Sequence, residues 1–101
     1  MTLDTPWVRE ELREHLSRLA DAQWLQAAAG TPELDELIDA VDETGVLEDP
    51  GSSIGYVLHD EREASRMATL GMRLNHVLND PTEDGWQSVS QAARTALDAL
   101  A

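Results

Sequence analysis

Apolar residues recur every three or four positions along most of the chain, with charged and polar residues between them. This spacing gathers the apolar side chains on one face of an α-helix. It predicts helices over about residues 6–20, 22–29, 32–44, 61–78 and 85–100. Each helix would bury one face in a shared core, so we expect an all-α fold: one compact bundle of four to five helices spanning residues 1–101.

Capping residues stand where the pattern predicts that helices begin and end. Side chains of Thr and Asp accept hydrogen bonds from the first free N–H groups of a helix, proline suits the first helical position, and glycine suits the stop. The expected caps are Thr5 before Pro6, Asp21, Thr31 before Pro32, Asp60 with Glu63, and Asp84 with Gln87, and the expected stops are Gly30 and Gly45.

Residues 53–58 depart from the helical pattern. Ile54, Tyr56 and Leu58 alternate with Gly55 and Val57, which indicates a short extended segment. A lone strand leaves its own backbone groups unpaired. The segment would therefore pack as irregular chain against the bundle, which we favour, or pair with its copy across a dimer axis.

The large side chains lead to specific expectations about burial. The chain contains no Phe, and Trp7, Trp24 and Trp86 are expected to anchor the core. On the fourth predicted helix Leu78 belongs to the inward face, whereas Met72 points away from it and should be exposed. Gly71, on the same inward face, should allow a neighbouring element to approach closely.

Charge changes this picture most in residues 31–50, which hold eight carboxylates and no basic residue. On a helical wheel five of the acids lie opposite the apolar residues, so the third helix should show an acidic face to solvent. The candidate partner-binding residues in and after this helix are Asp35, Glu36, Asp39, Asp42, Glu43, Glu48 and Asp49.

Three arginines on the fourth predicted helix could neutralise part of that negative charge within the fold. Arg62, Arg66 and Arg73 fall within about 40° of one another on the helical wheel. If the third and fourth helices pack side by side, part of the acidic face is neutralised internally, and the case for an external partner weakens.

The overall charge of −13 argues against binding to nucleic acid or to an anionic membrane, because both require a basic surface. No apolar run reaches the ~20 residues of a membrane span, and the first residues lack a signal-peptide pattern, so we expect a cytoplasmic protein. With no Cys, the chain has no disulfide and no thiolate nucleophile.

No residue pattern indicates catalysis, a cofactor or a metal site. Asp35, Asp39 and Asp42 share a helix face but diverge into solvent, and no EF-hand or His-x-x-x-His spacing occurs. His15 lies at the edge of an apolar stripe, where we interpret it as a boundary residue bonded to a neighbouring helix. We therefore expect a protein that is not an enzyme and holds no cofactor or metal.

A series of residues within about residues 35–98 carries a likeness to known proteins. These residues are Asp42, Glu43, Thr44, Leu47, Ser53, Gly55, Tyr56, Leu58, Asp60, Glu63, Ala64, Leu70, Leu74, Trp86, Val89, Ala92, Ala93, Arg94 and Ala96. With them the chain resembles an uncharacterised family of small acidic helical proteins from actinomycetes. The family has no known activity, so the resemblance implies a helical fold and no catalytic residue.

Two functional hypotheses follow. The first is a non-enzymatic module whose acidic helix and following loop bind a basic protein surface, in the manner of an immunity protein or antitoxin that neutralises a basic effector. The second is a structural homodimer, formed through an apolar helix surface or through residues 54–58, in which the acids only maintain solubility.

Overall fold

Five α-helices and one short 3-10 helix are found in the part of the chain that this computed structural model describes, residues 6–44, 46–47 and 49–100. The helices are α1 (Pro6–Leu19), α2 (Ala22–Ala28), α3 (Pro32–Glu43), α4 (Glu61–Asn79) and α5 (Glu83–Leu100), with the 3-10 helix (Pro50–Ser53) between α3 and α4. No β-strand occurs in these residues, and the prediction of an all-α bundle is confirmed.

Helix α5 is the centre of the packing. It forms an antiparallel hairpin with α4 and also packs against α1 and α2. Helix α3 packs against α1 and α2, and the 3-10 helix packs against α4. One continuous apolar core joins all five helices, and leucines at helical spacing supply most of it.

Helices α1 and α5 are antiparallel and satisfy each other's last carbonyl groups. The hydroxyl of Ser90 and the guanidinium of Arg94 donate to the carbonyl of Ala20, just past α1, at 2.9 and 3.2 Å. In return, Arg9 from the first turns of α1 donates to the carbonyl of Leu100 at 2.7 Å. Carbonyls at a helix end lack partners within the helix, so these bonds also fix how the two helices align.

Arg9 makes its strongest contact with Glu63 in α4. Its Nη1 and Nη2 donate to Oε1 and Oε2 of Glu63 at 2.6 and 3.2 Å, and the two side chains are only 11% and 7% exposed. Nη1 also donates to the carbonyl of Val57 at 3.0 Å. The N–H of His59 donates to Glu63 at 2.8 Å. This buried pair therefore joins α1, the loop before α4, α4 itself and the end of α5.

The predicted capping boxes are met only in part. Asp21 accepts from the N–H groups of Gln23 and Trp24, and Asp60 accepts from that of Glu63, as expected. The Glu63 carboxylate, however, turns away from Asp60 to Arg9 and His59.

Thr31 is the N-cap residue of α3 and Pro32 follows it, as expected, but the Thr31 hydroxyl donates to the carbonyl of Ala28 and makes no capping bond. The expected cap at Asp84 is wrong. Helix α5 begins two residues earlier than predicted, and Thr82 rather than Asp84 accepts from the N–H of Gly85. The stop at Gly30 is confirmed by its φ of 80°. Thr5 and Gly45 lie outside the described residues.

Residues 53–58 form a tight loop that packs as irregular chain against the bundle, the arrangement we favoured. The carbonyl of Ser53 accepts from three successive N–H groups, and Gly55 with φ 92° donates to the carbonyl of Leu58 at 2.7 Å. The extended character is limited to one isolated bridge between Ile54 and Leu58. Val57 and Leu58 are buried, so this loop contributes to the core.

Three burial expectations are confirmed and two are wrong. Trp86 is buried and Met72 is 73% exposed, as expected. Gly71 allows the expected close approach, because a Cβ added there would lie 3.3 Å from the carbonyl oxygen of Leu47 in the loop after α3. Trp7 is 62% exposed, because it lies roughly 130° around α1 from the leucine stripe. Leu78 is 51% exposed, at the flank of the last turn of α4. Trp24 is half-buried.

Replacing Glu63 should destabilise the fold. Glu63→Gln leaves the buried Arg9 charge without its counter-ion, and we expect the free energy of unfolding to fall by about 3 kcal/mol. Urea denaturation measures this change. The matched control is Glu61→Gln, an exposed acid in the same first turn of α4, which should change stability by less than about 0.5 kcal/mol.

The loss should depend on pH. Burial raises the pKa of Glu63, but hydrogen bonds from Arg9 and His59 and the Arg9 charge outweigh it and hold the pKa below its ordinary value of 4.5. A lowered carboxyl pKa stabilises the fold above that ordinary value and ceases to do so as the pH falls through the folded pKa. The difference between wild type and Glu63→Gln should therefore shrink below about pH 4.5. A difference that stays constant from neutral to acidic pH would contradict this.

The tryptophans should differ sharply in their importance to stability. Trp86→Ala removes a buried ring and should lower the free energy of unfolding by about 3–5 kcal/mol. Trp7→Ala removes an exposed ring from α1 and should change it by less than about 0.5 kcal/mol. Chemical denaturation of the two variants tests this, and equal losses would show that Trp7 is a core residue after all.

Candidate protein-interaction surface

Helix α3 carries its acids on the side that faces solvent. Its inward residues Leu34, Leu37 and Val41 are buried, and Ile38 is half-buried. The acidic face of α3, as we call it, consists of the exposed residues Asp35, Glu36, Asp39, Asp42 and Glu43. The predicted amphipathic division of this helix is thus confirmed.

The two acids expected in the loop after α3 cannot both be placed. Asp49 is exposed and accepts a hydrogen bond from the hydroxyl of Ser52 at 2.6 Å. Glu48 lies outside the described residues. The candidate surface therefore consists, in the structure, of the acidic face of α3 and of Asp49.

The arginine stripe of α4, formed by Arg62, Arg66 and Arg73, does not lie beside the acidic face. Helix α3 packs on α1 and α2 and does not pack side by side with α4. The two helices approach each other only where the end of α4 faces Leu34 and Asp35 of α3. Arg66 and Arg73 instead border a cleft on the α5 side of α4. Within residues 6–44, 46–47 and 49–100, Arg9 forms an ion pair with Glu63, and the imidazole of His59 lies 3.5 Å from the same carboxylate. No ion pair among these residues joins the arginine stripe to the acidic face.

A polar groove of about 700 Å³ borders one side of the acidic face. Glu33 and Glu36 form its α3 wall, and half-buried Trp24 lies on the opposite side. Its full lining is His15, Ser17, Arg18, Asp21, Trp24, Glu33, Glu36, Leu37 and Ala40. Arg18 thus lines the same groove as Glu33 and Glu36, although it forms no ion pair with them.

An apolar pocket of about 390 Å³, which we call the end pocket, borders the other side. It lies at the end of the bundle where α4 stops and α5 starts. Its lining is Ala29, Gly30, Leu34, Asp35, Val77, Leu78, Pro81 and Trp86. Helix α3 therefore stands between two hollows of different chemistry, and its acids border both.

One titratable side chain in the described residues is both buried and shifted in pKa. The titratable group that is both buried and shifted in pKa is Glu63, whose carboxylate is fully engaged by Arg9 and His59. No three His, Asp or Glu side chains converge where they could hold a metal ion, as far as the described residues go. Among these residues, no helix is long and apolar enough to cross a membrane.

Two features escaped the sequence-based reasoning. Arg9 lies next to the apolar stripe of α1 on the helical wheel, and an arginine in that position is a signal for a buried ion pair. The lining of the end pocket comes from four separate segments, and no pattern in the sequence brings them together.

Protein-family models, curated proteins and solved structures were each compared with this chain, and none matches it. The likeness to the actinomycete family therefore remains a prediction, and the surface has to be interpreted from its own chemistry.

Because no ion pair among the described residues neutralises it, the acidic face should lower the free energy of unfolding. Asp39 stands four residues from both Asp35 and Glu43, and like charges at this spacing cost a few tenths of a kcal/mol each. Asp39→Asn should raise the free energy of unfolding by about 0.4–1 kcal/mol at low salt, measured by urea denaturation. Glu14→Gln on α1, where Arg18 follows four residues later, should give no gain. Equal effects of the two variants would count against this account.

Proposed function

We propose that the protein is a non-enzymatic interaction module that binds a basic protein surface through the acidic face of α3 and the loop that follows. One observation supports this most: the acids are exposed on one helix face and have no ion-pair partner among the described residues. Repulsion among acids on one helix lowers the stability of the fold unless core packing or a cationic partner offsets that repulsion. The buried leucines of α3 offset part of this repulsion by packing in the core, and a basic partner would offset the rest.

A concentrated acidic face suits rapid recognition of a cationic partner. Long-range attraction raises the rate of encounter, and it does so most at low ionic strength. An immunity protein or antitoxin that neutralises a basic effector would use such a surface, and we propose this role. A cytoplasmic location and membership of the actinomycete family belong to the same proposal and rest on the sequence alone.

Charge reversal tests the proposal directly. With the wild-type protein as bait, a basic partner would be recovered from native lysate and purified. Its association rate with wild type should then fall at least about tenfold between low and high salt, because screening removes the steering. Asp39→Lys with Asp42→Lys should lower the rate at low salt by at least as much.

The matched control reverses two exposed acids on α1, Glu10→Lys with Glu11→Lys, and changes the net charge equally. If it slows association as much as the α3 variant does, the effect belongs to net charge and not to the acidic face. An association rate that is independent of salt and of both variants would refute the proposal.

The alternative is a structural homodimer, which the exposed Met72 and Leu78 on α4 favour. The other predicted dimer contact loses support, because Val57 and Leu58 are buried within the protein's own core. Sedimentation at micromolar concentration separates the two proposals. A strict monomer removes the dimer, whereas a dimer dispersed by Leu78→Ser would favour it.

A further inference from the structure

The end pocket differs from the other hollows described above because its lining is mostly apolar and it is partly enclosed. Its floor is built from buried core residues, Leu34, Val77 and Trp86, and half-buried Ala29 lies beside them. Leu78 stands at the rim with 51% of its surface exposed. An exposed leucine beside a concave apolar floor leaves room for a further apolar side chain to pack there.

One acid lines this pocket, and three more lie close to its lining residues in the chain. Asp35, a member of the acidic face, is part of the lining, and no basic residue is among the lining residues that the structure describes. The segment that supplies Pro81 and Trp86 also carries three exposed acids, Asp80, Glu83 and Asp84. Arg73, the nearest arginine along α4, borders a different cleft together with Ser88 and Gln91.

We infer that the end pocket is an anchor site for an apolar side chain of the cationic partner, whose flanking Lys or Arg residues contact Asp35 and the neighbouring acids. This inference rests on the proposed function and adds the kind of segment that is recognised: basic residues around one apolar anchor. The apolar contact supplies affinity because it removes apolar surface from water, and the charges supply orientation and rate.

Charge decides between this occupant and a second copy of the chain. Two copies that met at the end pocket would bring Asp35, Asp80, Glu83 and Asp84 of each towards the same acids of the other. Such like-charge contact opposes association, whereas a basic segment would be attracted by the same acids. The pocket therefore fits a cationic partner better than it fits the protein itself.

Two short lysine-rich peptides serve as probes, one with a single central leucine and one with serine in its place. Binding is measured by titration of the full chain, followed by the indole N–H signal of Trp86 in NMR spectra. The leucine peptide should bind at least about tenfold more tightly than the serine peptide, as the burial of one such side chain allows. It should also shift the Trp86 signal, which the serine peptide should leave in place.

Variants of the pocket locate the effect. Ala29→Leu should fill the pocket, and Leu78→Ser should remove its rim without touching the core. Each should bring the affinity for the leucine peptide close to that for the serine peptide. Met72→Ser removes another exposed apolar side chain of α4, outside the pocket, and should change neither affinity.

The outcomes distinguish this inference from the function on which it rests. Equal binding of the two peptides, weakened by Asp39→Asn with Asp42→Asn, would overturn the anchor site and leave the acidic surface standing. A preference for leucine that survives both pocket variants would also overturn the anchor site.

Binding of neither peptide, or binding that depends neither on salt nor on the acids, would count against the proposed function and the anchor site together. A dimer that forms without peptide and is dispersed by Leu78→Ser would show that the occupant is a second copy.

Discussion

The ion pair between Arg9 and Glu63 is the contact that links the most parts of this fold. Arg9 leaves the first turns of α1 and reaches Glu63 of α4, the carbonyl of Val57 and the last carbonyl of α5. A buried charge pair is not by itself a source of large stability, because both ions lose their water. Its value here is alignment, since removing either partner would leave the other charge buried and unsatisfied. The antiparallel α1–α5 packing and the loop before α4 depend on it.

The remaining charges are divided between faces that do not meet. The acidic face of α3 and the arginine stripe of α4 lie on helices that do not pack side by side, and both are exposed. The buried residues Leu34, Leu37 and Val41 hold α3 in place against the repulsion among its acids. Core packing thus stabilises α3, and its acids remain exposed to solvent.

The two hollows beside α3 give that surface its shape. Glu33 and Glu36 line the polar groove, and Asp35 borders the end pocket, so acids of one helix lie along both hollows. The end pocket lies at the opposite end of the α4–α5 hairpin from the Arg9–Glu63 pair. Variation at the pocket rim is therefore separated from the contact that aligns the helices, and the two can be tested independently.

Periodicity by itself determined the helical class, the approximate span of each helix and the acidic face of α3, because these depend on residues three or four apart in the chain. It also indicated the exposure of Met72. Trp7 was expected in the core because of its size, although the helical wheel places it away from the leucine stripe. The capping bonds expected of Thr31 and Asp84 are absent, because the Thr31 hydroxyl donates to Ala28 and Thr82 accepts from Gly85. Only the tertiary structure decided that Glu63 binds Arg9, that the arginine stripe lies away from α3, and that four segments form the end pocket. These features join residues distant in sequence, and no local pattern records such contacts.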